Sequence, residues 1–326
     1  MEYGNVVVRG SFGEILKTLC NRLHEAPVVE SRITKTKEMI GNTIVLTDPS
    51  KNLCFCEHRT FNFIYALVEA SLLFWDQNEV RPFAYFNKKM LDYSDDGKTL
   101  NSAYGSFIAP HLYMVIEKLR KDSDTRQAVI SIYNNDFCCV DSKDIPCTQD
   151  VQFLIRDGRL TMIVHMRSND VFWGLQYDLY MFTNLQRVVA KRLGIECGPY
   201  IHMPTSLHVY DYHWDALEKI VADNDSIIDM PVMPLQAMSE YRRGMQMATA
   251  YMSDYNECSP DVDLLREAKN RNISNALILT EVAYKNMLAE EFKALIERAD
   301  KNDEMREAYN VYSLFFKRWF RSGENV

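Results

Sequence analysis

The period of the apolar positions changes several times along this chain, and each change predicts an element. Within residues 11–25, Ile15, Leu16, Leu19 and Leu23 recur at three- and four-residue spacing, which predicts an amphipathic helix. Residues 28–48 turn β-like, with Ile40, Thr43, Ile44 and Val45 among them. Residues 61–75 (FNFIYALVEASLLFW) are apolar nearly all round, which predicts a buried helix. The polar, turn-rich stretch 76–100 predicts a loop or lid, and residues 111–121 a further helix. AVISIY, starting at Ala128, reads as a strand, and residues 134–145 as a connecting loop.

The clearest pattern comes next. Val151, Phe153 and Ile155 alternate with Gln152, Leu154 and Arg156. Asp157-Gly158 then supplies a hairpin turn into Leu160, Met162 and Val164. A long helical pattern follows from about Val171 to Leu193, a strand over 198–213, and a helical turn over 214–222. Beyond the proline-punctuated stretch Met230-Pro231-Val232-Met233-Pro234, apolar periodicity predicts helices from about Ala237 to Phe320. These elements predict a mixed α/β (α+β) chain: a catalytic unit over residues 1–225 and a helical C-terminal region over 226–326.

At 326 residues the chain can bury a substantial core. A net charge of -8 argues against a nucleic-acid polymer as partner but permits a mononucleotide, which needs only a few arginines. The opening residues lack a basic segment followed by an apolar run, and no stretch approaches a membrane span. The expectation is therefore a cytoplasmic protein. Eight cysteines in a chain this long do not form a disulfide-framework pattern. Cys54-Phe55-Cys56-Glu57-His58 hints at a metal but lacks a second ligand pair, so none is expected.

Chemistry concentrates around the hairpin. Cys147 opens it, Arg167-Ser168 follows its second strand, and Asp178 lies inside the long helix. A thiol, a guanidinium, a hydroxyl and a carboxylate thus come from adjacent elements. Glu69 is the lone acid in an apolar helix. It reads either as a surface glutamate or as an acid/base whose burial tunes its pKa. His208 and Tyr210 share a strand face by period two, as sugar contacts or as a half-buried face. Arg32, in a charged loop, is either solvated or a phosphate contact.

These residues resemble the thymidylate synthase family of pyrimidine nucleotide enzymes. The matching pieces are Pro146-Cys147, Gln152-Phe153 with the Asp157-Gly158 turn, Arg167-Ser168-Asn169-Asp170, Gly174-Leu175 and Ser206-Leu207-His208-Val209-Tyr210. Weaker matches reach back to about Arg32, covering roughly two thirds of the chain. Several motifs in the family's order and spacing make this a specific signal. MRSND, SLHVY and the acid at Asp178 look like the hydroxymethylase branch, thymidylate synthases carrying asparagine at the last position.

The resemblance implies a thymidylate synthase-like fold, a large mixed β-sheet covered by helices, and a homodimer with shared active sites. It implies 5,10-methylenetetrahydrofolate as one-carbon donor and a pyrimidine mononucleotide, dCMP or CMP, as substrate. Cys147 is then the nucleophile that adds to carbon 6 of the base, with Arg167 lowering its pKa. Glu69 orders water and Tyr104 serves proton removal at carbon 5. Asp170 binds the pterin, and Asp178 reads the base. Arg32, Arg167, Ser168 and, from across the dimer, Arg126 bind the substrate, with His208 and Tyr210 on the sugar. Two departures stand out. Gln127 replaces a second phosphate arginine, and no tryptophan lies near Asn87 and Met90, where the family sets one against the folate. A methylase of (d)CMP or dUMP and a non-catalytic nucleotide-binding homologue are the alternatives.

Overall fold

The structure, a computed structural model, describes residues 3–223, 225–230, 232, 233, 235 and 237–253. Most of the expected C-terminal helices, and Cys258, lie outside the described residues. β1 (Tyr3–Arg9) is followed by α1 (Phe12–Glu25), whose Ser11 cap accepts a hydrogen bond from Glu14 N at 3.4 Å. The apolar stripe expected there is buried: Ile15, Leu16 and Leu23 have no exposed surface. The β-like segment is two strands, β2 (Val28–Glu30) and β3 (Lys35–Leu46), paired antiparallel around the turn that carries Arg32 and Ile33. β4 (Cys54–Cys56) leads to α2 (Phe63–Leu72), shorter at both ends than its apolar run. Asn62 caps α2 by accepting from Tyr65 N at 3.0 Å.

The expected loop over 76–100 is a correction. It folds into two short helices, α3 (Val80–Phe86) and α4 (Met90–Tyr93), because Val80, Phe83 and Phe86 find a core to enter. The next helix, α5 (Gly105–Lys121), begins one and a half turns before its expected start. β5 (Val129–Ser131) is shorter than AVISIY, and a single 3-10 turn interrupts the loop after it.

β6 (Thr148–Arg156) and β7 (Arg159–Asp170) form the expected hairpin. Asp157 and Gly158 take φ of 52° and 69°, the left-handed pair such a two-residue turn requires. α6 (Leu175–Leu193) starts four residues later than the periodicity suggests, since Asp170 holds 171–173 in a turn. It ends at Gly194, φ 73°. β8 (Glu196–Tyr210), α7 (Trp214–Ala222), β9 (Ile227–Asp229) and α8 (Met238–Ser253) complete the described chain.

Seven strands form one mixed sheet in the order β1-β3-β8-β7-β6-β5, with β2 on the far part of β3; β4 and β9 make a separate pair. β7 and β8 run parallel, so α6 is the crossover that carries the chain back over the sheet. Met162 and Val164, under the helices, are fully buried, whereas the alternating Ile163 and His165 are only half-buried on the other face. α2 packs on α6, and α8 packs on α2 and α3. Tyr241, Met245 and Ala248 of α8 enter the core, so the chain as far as residue 253 is packed onto the sheet-bearing body. Cys54 and Cys56 are core residues of β4, and His58 pairs with Asp223 at 3.5 Å. Among the described residues no helix is long and apolar enough to cross a membrane.

Candidate active site

The C-terminal end of β7, the start of α6, the end of β8, α2 and α4 enclose a cavity of about 630 Å³. That is a typical size for a small-molecule site. Glu69, Tyr104, Cys147, Ser168, Asp170, Asp178, His208 and Tyr210 all line it, as the sequence leads one to expect.

Cys147 precedes β6 at a register shift between Thr148 and Asp150, and its carbonyl accepts from Arg167 N at 2.9 Å. Arg167 is tied to the same corner: its Nε donates to Pro146 O at 2.9 Å and a terminal nitrogen to Ile145 O at 2.7 Å. Burial pushes the Cys147 thiol above its ordinary value, and the Arg167 guanidinium pulls in the opposite direction. The expected lowering by Arg167 is therefore present, but burial outweighs it. Tyr104 accepts from Thr148 N at 3.3 Å, which brings its hydroxyl beside the residue after the thiol.

Asp178 is held by a buried chain of partners. Asn169 Nδ2 donates to its Oδ2 at 2.7 Å. The Asn169 carbonyl can only accept, so His202 Nε2, 3.0 Å away, carries the proton, and His202 Nδ1 accepts from the Tyr200 hydroxyl at 2.9 Å. Burial lowers the His202 pKa to about 3, which keeps the ring neutral. Two side chains of β8 thereby fix which way the Asn169 amide faces. Burial raises Asp178 to about 7, against the Asn169 hydrogen bond, and raises Glu69 to about 8 with help from the Asp178 charge.

Asp170 spends one oxygen on the turn before α6: Oδ1 accepts from Phe172 N at 2.5 Å and Trp173 N at 2.9 Å. Its Oδ2 is enclosed and has no partner among the described residues. His208 and Tyr210 meet edge to face, with ring centroids 4.9 Å apart, confirming that they share a face. Arg32 is exposed on the β2–β3 turn, near enough to Tyr210 to lower its pKa against the larger effect of burial. Arg126 is exposed three residues before β5 and does not line the cavity of its own chain.

Several lining residues escaped the sequence reading. Trp173, Tyr93 and Tyr212 form a half-exposed aromatic wall, and Lys89 Nζ lies 4.3 Å from the Trp173 ring centroid. The site thus has a tryptophan, supplied by the turn before α6 instead of the segment around Asn87 and Met90. The aromatic run DVFWG beside Asp170 was the available signal. Tyr65, one turn before Glu69 on α2, also lines the cavity.

Residues 34–263 match the family model for thymidylate synthase. A deoxyuridylate hydroxymethyltransferase of Bacillus phage SP01 is 32% identical over 243 residues, which cover 68% of this chain and 63% of that protein. A protein of the same name from Pseudomonas phage M6 is 33% identical over 177 residues, 52% of this chain and 50% of that one. A putative thymidylate synthase of Methanocaldococcus jannaschii is 28% identical over 218 residues, 65% and 92% of the two chains. The chain therefore spans between half and two thirds of the length of the two phage relatives.

Proposed function

Because the chain belongs to the thymidylate synthase family, we propose that it is a pyrimidine nucleotide hydroxymethyltransferase that places a hydroxymethyl group on carbon 5 of dCMP or CMP. The observation that carries the base is the carboxyl of Asp178 on the cavity wall, aimed by Asn169, His202 and Tyr200. A carboxylate accepts from the exocyclic amino group of cytosine and from a protonated ring nitrogen. It repels the carbonyl that uracil carries instead.

In this reading the Cys147 sulfur adds to carbon 6, which makes carbon 5 electron-rich, and Tyr104 lies where the carbon 5 proton must leave. When bound, 5,10-methylenetetrahydrofolate supplies the one-carbon unit. The residues present fit that group. Trp173, Tyr93 and Tyr212 offer a face for a flat bicyclic ring, the unpartnered Asp170 Oδ2 can accept from a ring N–H, and Lys89 suits an anionic tail. Glu69, with its pKa at about 8, takes up the proton of the water that completes the hydroxymethyl group. In this reading Arg32, Arg167 and Ser168 serve the nucleotide's phosphate, and His208 and Tyr210 its sugar. The exposed Arg126 reaches a second copy's phosphate in a homodimer with shared sites. Of the residues after 225, the described part of α8 adds Tyr241, Met245 and Ala248 to the core of this catalytic unit.

A uracil substrate is the second reading, favoured by the names of the phage relatives. With its pKa at about 7, Asp178 can also be protonated. It then donates to the uracil carbonyl and accepts from the ring N–H. Incubation of CMP, dCMP and dUMP with methylenetetrahydrofolate, read by mass spectrometry, decides between them. The wild type should convert a cytidylate, and Asp178→Asn should shift the cytosine-to-uracil ratio by at least about tenfold. A wild type that prefers dUMP overturns the cytidylate assignment, and an unchanged ratio shows that Asp178 does not read the base.

A further inference from the structure

α2 is almost wholly buried, yet it carries a phenol one turn before its only acid. Tyr65 is 4% exposed and lines the cavity; among the described residues its hydroxyl has no partner at hydrogen-bond distance, though it lies near enough to Glu69 for the two to shift each other's pKa. Buried hydroxyls in folded proteins are nearly always partnered. Glu69 follows at i+4, on the same helix face, and its Oε2 is likewise enclosed and unpartnered. The neighbouring Tyr177, whose ring meets Tyr65 edge to face at 5.7 Å, differs in that its hydroxyl already has a partner, accepting from Asn62 N at 2.8 Å. A phenol oxygen and a carboxylate oxygen, both in the wall of one cavity, suffice to hold one water molecule.

We propose that Tyr65 is a water-positioning residue: with Glu69 it holds the water that is added to the substrate's exocyclic methylene carbon. This rests on the hydroxymethyl-transfer reading. The water donates one hydrogen to Glu69 and the other to the Tyr65 oxygen, which leaves a lone pair facing the carbon. As the oxygen–carbon bond forms, the π pair of the exocyclic double bond moves to carbon 5 and the proton passes to Glu69. That pair then re-forms the 5,6 double bond, and the carbon 6–sulfur bond breaks with its electrons on the Cys147 sulfur. Burial foremost, and then the Glu69 charge, hold the Tyr65 pKa well above its ordinary value, so the phenol stays neutral throughout. The titratable groups facing Glu69 are Tyr65 on its own helix and Asp178 and Tyr177 on α6; Asp178 raises its pKa and Tyr65 lowers it.

The test is Tyr65→Phe, which keeps the ring and removes only the oxygen. Three quantities are read on wild type and variant: release of the carbon 5 hydrogen, hydroxymethyl product, and the thioether formed when 2-mercaptoethanol competes with water. The variant should release the carbon 5 hydrogen with an unchanged KM for the nucleotide. Its hydroxymethyl product should fall roughly 10–100-fold, the penalty expected of a misplaced reactant, while the thioether rises. Since Tyr65 lowers the Glu69 pKa, its loss should also move the acidic limb of kcat to higher pH. Product at the wild-type rate with an unshifted limb overturns the proposal, as does an equal fall in carbon 5 hydrogen release, which would make Tyr65 merely structural. A wild type that releases the carbon 5 hydrogen but forms no hydroxymethyl product overturns the hydroxymethyl-transfer reading, and this proposal with it.

Discussion

Glu69 and Asp178 share one cavity wall; burial raises the energetic penalty of ionising either, and the Asp178 charge adds to that of Glu69. For Glu69 the ordinary value of 4.5 moves to about 8 on folding. Between those values the folded state holds a proton that the unfolded chain has released, so stability falls as pH rises through that window. Asp178, moved from 3.8 to about 7, acts with the same sign. Glu69→Gln removes this burden along with the proton acceptor. The variant without nucleotide should melt roughly 2–8 °C above the parent at pH 8, with much less difference at pH 5, and should form no hydroxymethyl product. Thermal melts at the two pH values check it; an equal shift at both would mean that Glu69 ionises freely in the fold.

At the scale of elements, the junction of β7 with α6 sets the geometry of the Asn169–Asp178 pair. A Cβ at Gly174 would meet Asn169 Nδ2 at 2.7 Å and Asp178 Oδ2 at 3.3 Å, so this glycine is required by the close approach of strand to helix. Gly174→Ala should push the Asn169–Asp178 pair apart. The expected result is a higher KM for the nucleotide and a blunted base ratio, with about 1–3 kcal/mol lost from stability as in other overpacked sites. Kinetics on dCMP and dUMP beside a denaturant melt measure both effects. An alanine variant with unchanged KM would show that the pair adjusts without harm.

For the whole molecule, the decisive question is whether Arg126 serves a site other than its own. It is exposed and away from the cavity, although the phosphate of a nucleotide held by Cys147 needs cations. If sites are shared across a homodimer as proposed, one hybrid site in a mixed dimer of Arg126→Ala and Cys147→Ala is intact. Co-refolded mixtures should therefore regain roughly a quarter of wild-type activity from two inactive parents, on the simple statistics of a two-fold dimer. Hybrids that form and stay inactive would place the role of Arg126 within its own chain.

The sequence by itself determined whatever depends on a few neighbouring residues. The β6–β7 hairpin was legible because alternation and the Asp157-Gly158 turn act locally, and α1 because its apolar stripe has one period. The motifs around Cys147, Arg167 and His208 were legible as ordered spacing. Only the tertiary structure decided the rest. α3 and α4 form in a polar stretch because Phe83 and Phe86 find a core, which no local pattern announces. The start of α6 is set by an Asp170 side chain outside the helix. The aromatic wall joins α4, the turn before α6 and the turn after β8. The orientation of Asp178 passes through Asn169 to His202 and Tyr200 on a strand that is parallel to β7 only because α6 crosses between them. Such contacts are long-range in sequence, and their energies depend on burial that exists only once the sheet and its helices have closed.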